Sequence, residues 1–483
     1  MTAPQYVRRD IWNLESQNVW DRYTLGYANA ARAMQALPAQ TNVLSWGYQA
    51  AIHGTYMTGG ANWDQCQHAS WYFLPWHRSY LYWFERIVRS FVIREGGPTD
   101  WALPYWNWTN NRALPPAFRA TTMPDGSANP LFTTHRVASY NANPPALLPA
   151  ADVDPTTAMN MTSFSGPPAF GFGGANAGSG QLELRPHNVI HVDLGAPGSG
   201  QCAGGWMVDP NCAALDPIFW LHHAQIDRLW NRWIQLGGGR ANPSSSAWLS
   251  RSWNFFDVNS SQVAQTDSQV LTTAALGYRY DDDPSPGALP VSAVRTLALG
   301  TNAEEEEPEV TREGEELGAS GPVELGATPA TASIDLADAE PERLGLALDR
   351  PAEQPGGYVT LLIDGIEVEQ APPAPYRIYI NMPDADAGTD PHTPHFVGFL
   401  EWFGLEHSHH PEGPVPPARA FDITSIVHQL QAEGRWDPAE AQLTFVPGVV
   451  PPAPPGAEVP EESGETAMSA PKITVSQIRI VTE

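Results

Sequence analysis

Six histidines fall into two sets of three whose spacing suits metal binding. The sets are His53, His68 and His77, and His187, His191 and His223. His187 and His191 are four residues apart, so one face of a helix presents both rings to a single ion. Copper accepts neutral imidazole, and two neighbouring ions can hold both atoms of dioxygen. The six residues predict two copper ions and redox chemistry with dioxygen, although an isolated pair at this spacing would fit a protein core equally well.

Two long helices are predicted to position these ligands. The stretch from Pro75 to Arg89 has apolar residues at helical spacing, and Pro75 is acceptable in its first turn. This helix contains His77. A second helix is predicted from near Pro217 to Leu236, where three glycines follow, and it contains His223. Residues from about 110 to 180 are rich in proline, alanine and glycine, so we expect long loops there.

Charge and cysteine content limit which partners, cellular location and disulfide content we expect for this chain. The net charge is −27, and residues after 290 carry about −24 of it. This acidity argues against nucleic acid and anionic membranes as partners. No apolar run reaches the roughly 20 residues that a membrane helix needs, and the amino terminus does not look like a signal peptide, so we expect a cytoplasmic protein. Three cysteines are too few for a disulfide scaffold, and whether Cys202 and Cys212 pair is left open.

Composition divides the chain into three parts. Residues 1–290 are rich in aromatic residues and contain many helical patterns, which predict a mainly α domain. Residues 291–355 contain a run of four glutamates with scattered proline and glycine, which predicts an acidic flexible linker. Residues 356–483 show short alternating segments separated by turn residues. This pattern predicts an antiparallel β-sandwich.

Several motifs resemble the tyrosinase, catechol oxidase and haemocyanin group of type 3 copper proteins. They are Phe73 to Arg78, Leu103 to Trp108, His187 to His191 and Asp216 to Trp230. The resemblance implies that residues 1–290 form a catalytic domain built around a four-helix bundle. It implies that the first histidine triplet binds one copper and the second triplet the other. It also implies that His223 binds copper, whereas His222 lies next to the ligands without binding the metal itself. Asp227 is a candidate to orient a ligand imidazole, and the alternative is a helix-surface aspartate paired with arginine.

Three further residues bear on the reaction that the resemblance implies. Cys66 lies two residues before His68, as in members where a cysteine forms a thioether to this histidine; a buried thiol is the alternative. Glu183 and Asn188 stand where tyrosinases are proposed to hold a water that takes the proton of a monophenol. Because phenols have a pKa near about 10, a general base would help. The alternative for Glu183 is a carboxylate favoured by a helix dipole.

The carboxy-terminal region resembles, more loosely, the β-sandwich that shields the active site of latent plant polyphenol oxidases. The resemblance includes 364–367, 376–381 and 473–481, and Tyr278 to Tyr280 resembles the tyrosine motif that closes the catalytic domain of those enzymes. The segment His407 to His410 is interpreted as a solvated histidine-rich loop, with a copper-loading site as the alternative.

The expected function is copper-dependent oxidation of phenolic small molecules by dioxygen. Monophenols would be hydroxylated at the ortho position and o-diphenols oxidised to o-quinones, with the protein latent until its carboxy-terminal domain is removed. The alternatives are an o-diphenol or o-aminophenol oxidase without activity on monophenols, and an oxygen carrier of the haemocyanin type. A copper chaperone is a candidate partner, and the oligomeric state is not indicated by the sequence.

Overall fold

The structure is a computed structural model of the 483-residue chain. It describes residues 6–14, 19–166, 169–175, 178–195, 202, 205–284, 315–336, 357–370, 375–390, 393–400, 418–436, 440–448 and 472–482. The segment from His407 to His410 and most of the predicted linker lie outside these residues. The chain forms two compact units. The first comprises Met1–Gln67, Tyr72–Phe164 and Arg185–Glu309, and the second comprises His68–Trp71, Ser165–Leu184 and Val310–Glu483.

The first unit is mainly helical over the residues described. Its helices are α1 (Arg22–Gln35), α2 (Trp46–His53), α3 (Phe73–Arg94), α4 (Pro116–Arg119), α5 (Ala138–Asn141), α6 (Thr156–Asn160), α7 (Val189–Leu194), α8 (Pro217–Gln235) and α9 (Ser246–Ser250). Helix α3 packs against α1 and α8, and α1 also packs against α2. The four-helix bundle as such stays a prediction. None of the described helices is both long and apolar enough to cross a membrane.

The two longest helices follow their sequence signals closely. Helix α3 begins two residues before Pro75, and Leu81, Phe84 and Val88, which are apolar residues at helical spacing, are all fully buried. Helix α8 begins at Pro217, where the missing N–H is not needed, and the Asp216 carboxylate caps it by accepting from the Ile218 N–H. Amphipathic packing therefore fixes the two helices that carry metal-ligand candidates.

Short strands complete the first unit. They are β1 (Tyr6–Arg8), β2 (Ser252–Phe256), β3 (Gln262–Thr266) and β4 (Tyr278–Tyr280). Strand β1 pairs in parallel with β4, so Tyr6 faces Tyr278 and Arg8 faces Tyr280. Strands β2 and β3 form an antiparallel hairpin. The pairing of β1 with β4 brings the start of the described chain to the tyrosine segment that the sequence singled out.

The second unit contains a nine-stranded sheet. Its strands are β5 (Glu315–Ala319), β6 (Val323–Leu325), β7 (Ala330–Asp335), β8 (Val359–Gln370), β9 (Tyr376–Ile380), β10 (Phe396–Leu400), β11 (Ala418–Asp422), β12 (Glu440–Val446) and β13 (Lys472–Thr482), with helix α10 (Thr424–Ala432) after β11. The hydrogen-bonded order is β10-β9-β12-β7-β5-β13-β8-β11, and β6 pairs with β13. The end strands β10 and β11 contact each other, so the sheet is barrel-like.

Two sequence-based predictions are corrected here. The carboxy-terminal β-sandwich is wrong in its layers, because all described strands of this unit belong to one curled sheet. Alternation reveals one buried face per strand, but it does not say whether a second sheet or the same sheet covers that face. The linker prediction is wrong for 315–336, which forms β5 to β7. The buried residues Leu317, Leu325 and Ile334 are few, and the exposed glutamates around them give this stretch the composition of a linker.

Candidate metal centre

The second histidine triplet converges on one point. His187 lies in the segment Glu183–Asn188, which kinks at Arg185 and runs into α7, where His191 lies. His223 comes from α8. The Nε2 atom of His223 is 3.3 Å from Nε2 of His187 and 3.3 Å from Nε2 of His191. Two bonds of about 2.0–2.1 Å to one ion span such a separation, so the three rings can share a metal.

In two rings of this triplet the other ring nitrogen, Nδ1, makes a hydrogen bond that leaves Nε2 for a metal. His191 Nδ1 donates to the Met207 carbonyl at 2.7 Å, since a carbonyl can only accept. His187 Nδ1 lies 2.6 Å from the side-chain oxygen Oδ1 of Asn188, which likewise accepts. Both rings therefore carry their proton on Nδ1 and present a lone pair on Nε2. Such an outer hydrogen bond is the usual partner of a metal-bound histidine.

The first triplet also forms a group with metal-binding geometry. His53 ends α2, His68 lies between α2 and α3, and His77 is in the second turn of α3. Each offers one ligand nitrogen, and these atoms lie within 4.8 Å of one another. His53 Nδ1 donates to the Pro210 carbonyl at 2.9 Å, and His77 Nδ1 donates to the Phe73 carbonyl at 2.8 Å. Each of these two rings again keeps Nε2 for an ion.

Burial keeps the ligand rings neutral. It lowers the pKa of His77, His191 and His223 well below the usual value, and the neighbouring histidines lower each pKa further. An imidazolium cannot bind a cation, whereas a neutral ring can. These three rings can therefore bind copper without first losing a proton, and the other three ligand candidates are buried beside them.

His222 lies beside the second triplet, but its proton positions differ from those of the ligands. The Trp108 indole N–H donates to His222 Nδ1 at 3.2 Å, and an indole nitrogen can only donate. Burial lowers the pKa of His222 to about 3, so the ring is neutral and carries its proton on Nε2. In this tautomer neither nitrogen has a lone pair left for copper, although a ring nitrogen of His222 lies within 4.8 Å of those of His187, His191 and His223. This hydrogen bond distinguishes His222 from its neighbour His223.

Asp227 does not have the role that the sequence suggested. Its carboxylate accepts from Arg78, from Arg8 at 3.0 Å, and from the hydroxyls of Tyr278 and Tyr280. None of these recorded donors is an imidazole, so the prediction that Asp227 orients a ligand ring is wrong. The alternative pairing with arginine is closer, except that Asp227 is buried. Its partners join α8 to α3, to β1 and to the tyrosine segment.

The remaining sequence-based candidates are all buried. Cys66 is 2% exposed, and its N–H donates to the His53 carbonyl at 3.2 Å. Glu183 is 1% exposed, and its Oε1 accepts from the N–H of Ala69, the residue after His68, at 2.7 Å. Asn188 is fully buried; its Nδ2 has no hydrogen-bond partner among the described residues. The thioether between Cys66 and His68 stays a prediction.

Three contributors to the centre were missed by sequence reasoning. They are the carbonyls of Met207 and Pro210 and the indole of Trp108. A carbonyl partner leaves no signal in residue type, because every residue has one. Trp108 lies in the motif Leu103 to Trp108, but the family resemblance implies no role for its indole. The structure also pairs Cys202 with Cys212 in a disulfide, which the sequence left open.

Known families match the chain along most of its length. The model for the common central domain of tyrosinase matches residues 43–163 and 137–236. The polyphenol oxidase middle domain matches 243–288, and a domain of unknown function matches 313–459. A tyrosinase of Hahella sp. is 30% identical over 91% of this chain and 95% of its own length. The chain belongs to the tyrosinase family.

Further relatives of this tyrosinase-family chain extend the comparison to plants. A chloroplastic polyphenol oxidase of Vitis vinifera is 28% identical over 88% of this chain and 70% of its own length. The structure of latent apple tyrosinase superposes with a TM-score of 0.61, covering 99% of this chain and 97% of that one, at 22% identity. The fold therefore matches that of a helical domain with a carboxy-terminal sheet domain. The family's cofactor is a dinuclear copper centre, and the two histidine groups fit it.

Proposed function

We propose that this copper oxidoreductase hydroxylates monophenols at the ortho position and oxidises o-diphenols to o-quinones with dioxygen. The copper pair, when bound, supplies the oxidising chemistry. The chain's own contribution is to bind the phenol and to remove its proton. The observation that carries the proposal is a buried carboxylate, Glu183, whose Oε1 is held by the N–H of Ala69 beside the ligand His68.

A buried base matters for monophenols more than for the oxidation of catechols. A phenol has a pKa near about 10 and binds a metal well only as the phenolate, so it must lose its proton on arrival. Asn188 supports this interpretation, because its Oδ1 is used by His187 while Nδ2 is an uncommitted donor among the described residues. In the proposal, that donor holds a water, which passes the phenol proton to Glu183.

Replacement of Glu183 by glutamine tests the assignment. The amide oxygen still accepts from the Ala69 N–H, so the local backbone contact is kept while the base is lost. General-base catalysis contributes about 10²–10⁴-fold, and we expect a fall of this size in kcat/KM for a monophenol. The rate with the matching catechol should change by less than about threefold. Oxygen uptake with the two substrates, normalised to copper content, measures both rates.

The matched control is Glu316→Gln, a change at a half-exposed glutamate on β5. Equal losses for both substrates in Glu183→Gln would contradict the role as a base. A wild-type protein that oxidises catechols or o-aminophenols but never monophenols would favour the alternative oxidase. Reversible oxygen binding without turnover of either substrate would favour a carrier.

Latency forms the second part of the proposal. A structural relative of this chain is a latent tyrosinase, and its fold is shared over nearly the full length of both chains. We expect activity to rise when the chain is cut near residue 290 and the carboxy-terminal part is removed. A specific protease site inserted there allows one preparation to be assayed before and after cleavage, with the uncleavable sequence as control. An unchanged rate after separation of the fragments would contradict latency.

A further inference from the structure

One loop contacts a ligand of each copper site through its backbone. The Met207 carbonyl accepts from His191 Nδ1 at 2.7 Å, and the Pro210 carbonyl accepts from His53 Nδ1 at 2.9 Å. The two acceptors are three residues apart on the same segment. This short stretch of backbone therefore sets the tautomer and the ring orientation of one ligand in the second triplet and one in the first.

The same loop is closed and anchored. A disulfide joins Cys202 to Cys212, ten residues apart, around both acceptors. The Asp209 carbonyl accepts from the N–H groups of Cys212 and Ala213, each at 2.8 Å. The Asp209 side chain accepts from the Tyr56 hydroxyl at 2.5 Å. These contacts fix the backbone between Met207 and Pro210. The two carbonyl acceptors belong to the main chain, so their positions depend on this backbone and not on a side chain.

Gly54, the residue directly after α2, lies in close contact with Pro210 of the loop. A Cβ atom at Gly54 would lie 2.5 Å from the Pro210 carbonyl oxygen and 2.9 Å from its carbon. No side chain fits there unless the loop moves away. Gly54 follows His53 directly, so the absence of a side chain lets the Pro210 carbonyl approach the ring that it orients.

We propose that the segment Met207–Cys212, which the disulfide ties to Cys202, is a positioning element that orients one ligand imidazole in each copper site and so governs how firmly both ions are held. The physical reason is that a histidine ring turns about two side-chain bonds, and a hydrogen bond to a fixed carbonyl removes this freedom before copper binds. The crosslink restricts the loop in turn. The proposal concerns copper retention and does not depend on whether monophenols are substrates.

Two variants test the proposal in the full-length, copper-loaded protein. The first is the double variant Cys202→Ser with Cys212→Ser, which opens the loop. The second is Gly54→Ala, which pushes the Pro210 carbonyl away from His53. Outer hydrogen-bond partners of metal ligands are worth about 10–100-fold in metal affinity, and we expect copper to leave for a chelator about 10–100 times faster in both variants. Copper content against time is measured by atomic absorption.

A spectroscopic readout separates positioning from general stability. In protein labelled with ¹⁵N-histidine and reduced to the diamagnetic copper(I) form, the Nδ1–H signals of His53 and His191 should shift and exchange faster with solvent. His77 is the internal control, because its Nδ1–H donates to Phe73 within α3 and not to the loop. Its signal should stay unchanged. Gly321→Ala is the control substitution, since nothing lies within 4 Å of a Cβ there.

The outcomes decide for or against the proposal. Faster release together with changes at His53 and His191 alone supports it. Release within twofold of wild type overturns it, and so does an equal change at His77, which would mean that the loop only stabilises the fold. If either variant fails to fold, Tyr56→Phe removes one anchor of Asp209 at a half-exposed ring and should give a smaller shift in the same direction.

Discussion

Replacing Asp227 by asparagine should lower the free energy of unfolding of the helical unit by about 3–5 kcal/mol. The residue Asp227 is 4% exposed, and its carboxylate neutralises two guanidinium groups that are themselves buried. After the substitution, Arg8 keeps its ion pair with Glu85 at 2.7 Å. Arg78 keeps three main-chain carbonyl acceptors, those of Val270, Leu271 and residue 227 at 3.0–3.4 Å, but it has no remaining carboxylate partner among the described residues. One uncompensated buried charge is the source of the expected loss.

Urea unfolding followed by tryptophan emission measures this loss. Sixteen of the 18 tryptophans precede residue 290, so the signal reports the helical unit. Asp282→Asn is the matched control, because it removes a partner of Arg228 at a carboxylate that is 37% exposed, and it should cost less than about 1 kcal/mol. Adding Arg78→Met to Asp227→Asn should recover part of the loss, since it removes the unpaired charge.

A loss of unfolding free energy in Asp227→Asn no larger than that in Asp282→Asn would contradict the expected cost of the unpaired buried charge. The pH dependence gives an independent check. Burial acts to raise the pKa of Asp227, but Arg78, Arg8 and the tyrosine hydroxyls outweigh it and hold the pKa below its usual value. The stabilisation is therefore present above the unfolded-state pKa of about 3.9 and is lost as the pH falls through the folded-state pKa. The difference between wild type and variant should shrink below about pH 4.

Three further predictions concern single groups. Burial raises the pKa of Asp267 to about 8, so the free energy of unfolding of the wild type should fall between about pH 4 and pH 8, by at most about 5 kcal/mol. Urea unfolding at pH 5 and pH 8 measures this fall, and Asp267→Asn should abolish it. Trp108→Phe frees His222 Nδ1, and copper content after dialysis should fall a few-fold; wild-type retention would contradict the tautomer assignment. Removing copper with a chelator should lower the thermal midpoint reversibly, since free copper at about 100 times Kd contributes about 2.7 kcal/mol per site.

The parts of the fold that sequence predicted are those with a repeating local signal. Helices α3 and α8 have apolar residues at helical spacing along most of their length, and Pro217 with Asp216 marks a helix start. The i,i+4 spacing of His187 and His191 likewise shows that two rings share one side of the chain. These signals depend on neighbours within a few residues, and tertiary contacts reinforce them without altering them.

The parts that sequence did not predict depend on contacts between distant residues. Asp227 is four residues beyond His223, a position that would suit a hydrogen bond to the ligand imidazole. It forms ion pairs with Arg8 and Arg78 instead, because two buried guanidinium groups need a counter-charge. Strand β7 has buried Ala332 and Ile334 between exposed polar residues, so its composition matches that of a linker. In both places the decisive partner is remote in sequence.

Glu183 belongs to the same compact unit as the carboxy-terminal sheet, and this bears on how latency must be tested. Gln181, two residues earlier, donates through Nε2 to the Ala420 carbonyl on β11 at 3.1 Å. One apolar cluster contains Ala169, Phe170, Ala175, Leu362, Ala418, Ala420 and Val481. Removing the sheet would therefore expose part of the segment that carries Glu183. Cleavage alone and separation of the fragments must be assayed in turn, with a monophenol and its catechol. If the sheet also supports Glu183, separation will raise the catechol rate while the ratio of monophenol to catechol rate falls.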